Sequence, residues 1–261
     1  MKGFYATLGR ASIALLLSAA TGSRASAQID TRYPQHDTLR PQPRVVRPSV
    51  ASTPERVGRA PTDAIVLYDG HDLSKWTSGD GKPAPWRAAD GFFEVAKGSG
   101  AIQTRDSFGD VQLHVEWMAP SPPVGVSQDR GNSGVFLMGM YEVQVLDSYG
   151  SRTYPDGQAA ALYGQYPPLV NASLPPGQWQ TYDIVFRRPR FAADGKVLSP
   201  AIVTVFHNGV LVQDHNALVG PTGHMERPPY TKHADRLPIS LQDHGHPVRY
   251  RNIWVRDLEK E

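Results

Sequence analysis

The sequence predicts an all-β fold, a sandwich or barrel built of antiparallel strands. From residue 63 onward, short runs alternate apolar with polar side chains, and Gly, Pro, Asn and Asp break them at regular intervals. No amphipathic pattern of helical period extends beyond two turns.

In chain order the strands fall at residues 64–68, 92–95, 111–118, 135–138, 141–146, 182–187, 201–207, 211–214, 239–242 and 248–255. The third shows the period most clearly. Val111, Leu113, Val115 and Trp117 share one face and Gln112, His114 and Glu116 the other, as a half-buried strand requires. Met138-Gly139-Met140 and His207-Asn208-Gly209 join neighbouring runs and suit tight hairpins. About 200 residues of this kind are ordinary for one all-β domain, and no internal repeat divides them.

Three longer loops, 119–132, 148–179 and 216–238, interrupt the strands. Loops of more than about 15 residues in a compact domain are functional or disordered. The second is rich in Tyr149, Tyr154, Tyr163, Gln165 and Tyr166. Such side chains suit sugars, because rings stack on C–H faces while amides and phenols reach hydroxyls. A packed Ω-loop is the equally open alternative.

The amino-terminal residues read as an export signal. Lys2 and Arg10 precede a short apolar stretch at 11–20, and Ala25-Ser26-Ala27 has the small residues that a signal peptidase needs. That stretch is too short to span a bilayer, which takes about 20 residues, so no membrane span is expected. Cysteine is absent, which excludes disulfides, thiolate metal sites, a cysteine nucleophile and lipidation at an amino-terminal cysteine. The expected product is a soluble, exported protein, periplasmic or secreted. Residues 28–62 are rich in Pro, Arg, Gln, Thr and Ser and read as a disordered tether. The domain expected at 63–261 carries 18 basic and 22 acidic residues, the reverse of a nucleic-acid binder.

The chemistry concentrates at 141–147 (YEVQVLD). Tyr141, Val143 and Val145 point one way and Glu142 and Gln144 the other. Strict alternation then sends Leu146 to the polar side and Asp147 to the core; a β-bulge at 145–146 would return Asp147 to the side of Glu142 and Gln144. Gly131-Asn132-Ser133-Gly134 opens the preceding strand with small polar groups and backbone that a ligand can approach. After a later strand, Gln242-Asp243-His244-Gly245-His246 adds an amide, a carboxylate and two imidazoles. A polar strand face is also what the solvated side of any sheet shows. Trp117 and Trp254 are placed in the core, while Trp76, Trp86 and Trp179 flank turns, where a stacking platform competes with core packing. Phosphate-binding loops, Gly-x-Ser-x-Gly elbows and dinucleotide fingerprints are missing.

LYDGHDLSKW (67–76), DGFFEV (90–95), FGDVQLHVEW (108–117), GNSGVFL (131–137), YEVQVLDS (141–148) and LQDHGHPVRYRNIWVR (241–256) together resemble the 3-keto-disaccharide hydrolase family. The resemblance runs in order over essentially the whole folded part. It implies a concanavalin-like jelly roll of two antiparallel sheets, acting on carbohydrates whose ring is oxidised to a ketone at carbon 3. It carries over Glu142, Gln144 and Asp147 from the acidic strand, Asn132 and Ser133 from the NSG turn, and Gln242, Asp243 and His244 from the QDHG block. On this basis Glu142, Asp147 and His244 are the expected catalytic residues. Gln144, Asn132, Ser133, Gln242, Tyr163 and Trp86 are expected to bind substrate. A divalent metal ion held by Glu142, Asp147 and His244 is a further possibility.

The acidic strand is also similar to the Glu-x-Asp-x-x-Glu strand of laminarinase-type glycosidases. Gln144 stands where the middle carboxylate belongs, which weakens a double displacement needing two carboxyls about 5–5.5 Å apart. The ketone offers another route. It acidifies the hydrogen at carbon 2, so a base removes it, the group at carbon 1 departs, and water adds back. A non-catalytic carbohydrate-binding module is the alternative from another class, since the same fold serves both.

Overall fold

Fifteen strands and a 3-10 turn at Pro155–Gly157 make up the regular structure of residues 32–259, which the computed structural model describes. The signal-like residues 1–27 lie outside the described residues. The chain divides into two units at Val45. In the first, residues 32–45 form turns without strands, and the guanidinium groups of Arg32 and Arg40 lie 5.8 and 6.0 Å from the Tyr33 ring centre.

The second unit is a jelly-roll sandwich of two antiparallel sheets. The larger has eight strands. In spatial order they are β13 (Val210–Ala217), β12 (Ile202–His207), β9 (Gln180–Arg187), β6 (Val111–Met118), β15 (Arg249–Asp257), β4 (Phe92–Glu94) and β3 (Arg87–Ala89), with β1 (Ile65–Tyr68) pairing the later half of β15. The smaller, five-stranded sheet runs β2 (Trp76–Ser78), β5 (Ile102–Phe108), β14 (Leu237–Leu241), β7 (Ser133–Leu137) and β8 (Tyr141–Val145). β10 (Arg190–Phe191) and β11 (Val197–Ser199) form a separate small hairpin.

Alternation explains the packing. Val111, Leu113, Val115 and Trp117 on β6 meet Val135, Leu137, Val143 and Val145 from the smaller sheet, all fully buried. Burial of this kind contributes about 25 cal/mol per Å² of apolar surface. The ten expected strands all form; β2, β3, β5, β10 and β11 were not expected. Both expected hairpins close through residues of positive φ, Met138 (55°) with Gly139 (67°) and Asn208 (52°) with Gly209 (77°), the twist that matches flanking strands. β8 is the last strand of its sheet, yet its edge is covered. Residues 160–163 run beside it, with Gln144 N–H donating to Ala161 O (3.0 Å), Ala160 N–H to Gln144 O (2.9 Å) and Tyr163 N–H to Glu142 O (3.3 Å).

Residues 46–62 depart from the expected tether. They fold back on themselves through Val50 and Arg59, whose N–H and C=O groups pair in both directions (2.8 and 2.9 Å), and lie as a strap on the outer face of the larger sheet. Ser52 donates to the Glu116 carboxylate, which also accepts from Asn252 Nδ2 (2.7 Å) and Arg251 Nε (2.7 Å). Arg251 donates in addition to the carbonyls of Thr53 (2.8 Å) and Pro54 (3.2 Å). The composition of the segment concealed this because its partners are buried polar groups, not an apolar seam. Trp254 is buried as expected, but on this same face, outside the apolar cluster between the sheets. The pairing of β15 with β6 shifts register between Arg251 and Trp254, and the indole stacks on His114 at 5.0 Å.

His114 bonds Asp183 through Nδ1 (2.7 Å) and faces Glu116 through Nε2 (3.4 Å). Burial alone would pull its pKa down; the hydrogen bonds and charges of Asp183 and Glu116 outweigh it and raise the imidazole to about 9. A folded-state value above the unfolded one means that this stabilisation is complete below about pH 6.5 and is lost as pH rises through about 9. Replacing His114 by Gln is therefore expected to flatten the fall in melting temperature between those pH values. An unchanged slope in a pH series of thermal melts would contradict the assignment.

Candidate active site

The outer face of β7 and β8 forms the floor of a cavity of about 640 Å³, within the range of small-ligand sites. All three long loops reach it. Residues 119–132 supply Ser127, Gln128 and Asn132, residues 148–179 supply Tyr154 and Tyr163, and residues 216–238 supply Thr222, Gly223 and His224; Phe136, Glu142, Gln144, Gln242 and His244 complete the lining. A second cavity of about 560 Å³ adjoins it, bordered by Asp156, Gly164, Met225, Glu226 and Arg227. Tyr154, Tyr163, Gly223 and His224 line both and so form the partition.

Glu142 sits at the floor with only 6 % of its surface exposed. Its backbone is fixed by Thr222, whose hydroxyl accepts from Glu142 N–H (3.0 Å) and donates to Met140 O (3.0 Å). Among the described residues no donor holds its carboxylate, and burial pushes its pKa up to about 8. The carboxylate lies flat over β7 because residue 134 is glycine. A Cβ there would collide with Glu142 Oε1 and stand 2.8 Å from Phe136 Cε2. Gly134→Ala should therefore displace the carboxylate and lower turnover by about 10–100-fold, with about 1–3 kcal/mol of overpacking. Full activity of a folded Gly134→Ala protein would show that the observed carboxylate position is not required.

Gln144 lies beside Glu142 and is clamped by Gln128. Its Nε2 donates to Gln128 Oε1 (2.9 Å), and Gln128 Nε2 donates onward to Thr153 Oγ1 (2.9 Å) and Gly157 O (2.9 Å). Asn132 Nδ2 donates to the Gln128 carbonyl at 2.8 Å. The side-chain carbonyls of Gln144 and Gln242 are buried without a partner among the described residues. Buried polar groups are normally satisfied, so two orphan acceptors beside an unpaired carboxylate mark a floor that a hydroxyl-bearing ligand would complete.

Other expected residues stand elsewhere. β8 pairs β7 without a register shift and ends at Val145, so the bulge expected at 145–146 does not form in this pairing. Asp147 is buried away from the cavity lining, its carboxylate held by Arg130 Nε (2.7 Å) and Tyr149 N–H (3.3 Å). Ser133 points to the core, its hydroxyl donating to Gln242 O (2.6 Å) and accepting from Tyr250 (2.7 Å). Trp86 is core, stacked on Tyr250 at 6.2 Å with its indole N–H on Gly100 O (3.0 Å). Asp243 staples loops by accepting from Gly100 N–H (3.0 Å) and Gly245 N–H (2.9 Å). His244 is exposed at the cavity rim, stacked on His246 at 6.0 Å.

Glu142, Asp147 and His244 consequently do not make a ligand set, and among the described residues no three His, Asp or Glu side chains converge to hold a metal ion. Sequence reasoning missed Gln128, Phe136, Thr222 and His224 as lining residues; Phe136 lies within the GNSGVFL block as an apolar residue of β7, whereas the other three belong to no motif block and are brought in by loop closure. No helix among the described residues is long and apolar enough to cross a membrane.

Residues 63–256 match the family described as 3-keto-alpha-glucoside-1,2-lyase-like domain. Three solved structures from Parabacteroides distasonis, each named a "putative glycosyl hydrolase", are similar to this chain. One is 46% identical over 85% of this chain and 95% of its own, with a TM-score of 0.81. The other two, 18% and 20% identical over 75% of this chain and 94% and 99% of their own, both have TM-scores of 0.54 and share the fold. Among curated proteins, none matches.

Proposed function

This chain belongs to the 3-keto-α-glucoside-1,2-lyase-like domain family, and from that premise we propose that it cleaves 3-keto-glycosides by elimination followed by hydration. A glycosidase-type function is the coarser statement that the family and the solved neighbours support. The observation that carries the finer one is Glu142. A buried carboxyl with no protein partner and a pKa near 8 suits a base that takes a proton from carbon.

On this reading the ketone at carbon 3 holds the electrons released when Glu142 removes the proton from carbon 2. The enolate then expels the group at carbon 1, and water adds across the new double bond. Gln144, Gln242 and Asn132 orient the ring through its hydroxyls. Export to the periplasm or medium is part of the same proposal and rests on the leader-like residues 1–27.

A panel of matched glucosides and 3-keto-glucosides tests the reading. Turnover of the oxidised member alone is the expected result. Binding of both without turnover would replace the enzyme by a carbohydrate-binding module. Cleavage of the unoxidised glycoside would favour ordinary acid–base hydrolysis, for which Asp156 and Glu226 in the adjoining cavity are the further carboxyls at hand.

A further inference from the structure

We propose that the Tyr163 hydroxyl, held between Tyr154 and His224 in the wall that divides the two cavities, protonates the departing glycosidic oxygen. The proposal rests on the elimination chemistry given above and supplies the acid that Glu142 alone does not. Its first support is position. A glycoside with its oxidised ring on the Glu142 floor and its leaving group in the second cavity must pass its scissile bond across the wall that Tyr154, Tyr163, Gly223 and His224 form.

Hydrogen bonding gives the second support. Tyr163 Oη lies 2.6 Å from Tyr154 Oη and 3.1 Å from His224 Nδ1. A phenol oxygen has two acceptor sites and one proton. With Tyr154 O–H and the Nδ1–H tautomer of His224 donating, both acceptor sites are filled and the Tyr163 proton is left for the cavity. The same two donors then stabilise the phenolate that remains after transfer.

The third support is spacing. Tyr163 N–H donates to Glu142 O (3.3 Å), and Leu162 bridges Val143. Base and acid therefore sit on adjacent extended segments, about 4.7–4.9 Å apart in the main chain. Burial and the nearby Glu142 and Asp156 charges raise the Tyr163 pKa, which keeps the phenol protonated until an alkoxide develops beside it. The other acids border one cavity at most: Asp156 and Glu226 line the second but not the first, His244 lines the first but not the second, and Asp147, paired with Arg130, lines neither.

The steps balance. Glu142 takes the proton from carbon 2, and the C–H electrons move onto the ketone as an enolate. Its collapse restores the ketone, makes the bond between carbons 1 and 2 double, breaks the bond from carbon 1 to oxygen, and draws the Tyr163 proton onto the leaving oxygen. In hydration the phenolate takes a proton from water as hydroxide adds to carbon 1, and Glu142 returns its proton to carbon 2. One water is consumed and both residues are restored. Tyr154 and His224 act as positioning residues.

The test compares methyl and 4-nitrophenyl 3-keto-glucosides. Tyr163→Phe should lower kcat/KM by about 10²–10³-fold on the methyl substrate and by less than about 5-fold on the nitrophenyl one, whose leaving group needs no proton. Exchange of the carbon-2 hydrogen for deuterium in heavy water should persist in the variant. His224→Gln should show the same contrast, with a loss of about 10-fold on the methyl substrate, and serves as the second variant if Tyr163→Phe folds poorly. Equal losses on both substrates, or no loss on the methyl one, would overturn the acid assignment alone. A wild-type protein that turns over neither substrate would remove the elimination reading and this proposal with it.

Discussion

Glu142→Gln is expected to lower kcat/KM on a 3-keto-glucoside by about 10²–10⁴-fold while the protein stays folded. The amide keeps the shape of the carboxyl and its place over Gly134 but cannot take a proton. In the wild type, turnover should rise with pH through about 8, where the carboxyl ionises, because only the ionised form is a base. Stability should move the opposite way. A folded-state pKa above the unfolded one means that stability is complete below about 4.5 and is lost as pH rises through about 8. The Gln variant lacks that loss, so it should melt above the wild type at pH 9 and close to it near pH 4.5. Unchanged turnover in Glu142→Gln would end the role of this strand as catalytic; a melting difference independent of pH would contradict the buried, unpaired carboxyl.

Arg251→Leu should be the most destabilising single change outside the core, by about 3–5 kcal/mol. The guanidinium lies 4.2 Å above the Trp179 ring and bonds both Glu116 and two strap carbonyls. Its removal strips a charge partner from a carboxylate that is 1 % exposed, and breaking a buried pair leaves the remaining charge uncompensated. Desolvation raises the Glu116 pKa, but bonds from His114, Asn252 and Ser52 and the Arg251 charge outweigh it and bring the group down to about 2. The strap loses two acceptor contacts at the same time, so Arg56 and Arg59 should become sites of trypsin cleavage in the native variant. Resistance at those residues together with a near-wild-type melt would show that the strap is held by something other than this cluster.

How much of this could be read beforehand follows from where each signal resides. Alternation is local, so β6 and β8 and the side on which Glu142 and Gln144 stand were legible residue by residue. β5 was not, because Gln103, Arg105 and Asp106 interrupt its apolar pattern, while its buried Thr104 satisfies its hydroxyl on the Asp106 carbonyl at 2.7 Å. Asn132, Gln242 and His244 from the motif blocks, and Tyr163 from the 148–179 loop, line the same cavity as Glu142. Asp147 shows the limit. Its awkward place in the alternation is resolved by the end of strand pairing and a guanidinium from Arg130, a contact that no spacing rule contains. The face on which Trp254 stands and the order of the strap, expected as core and as disordered tether, were hidden for the same reason: the outer face of β15 is polar, buried and satisfied across about 200 residues of sequence, as Asn252 and Ser52 illustrate.

The place of β15 also bears on how the molecule is assembled. The last strand in sequence is not the last in space. It lies between β6 on one side and β1 and β4 on the other, and every strand of the larger sheet depends on it directly or through a neighbour. In a chain emerging from its amino terminus, β6, β9, β12 and β13 can pair, but they cannot join β1 and β4 before β15 is free, and until then the strap lacks its contacts to Arg251 and Asn252. Long-range pairing of this kind is slow to form. The arrangement makes β15 the seam that joins the two halves of the larger sheet.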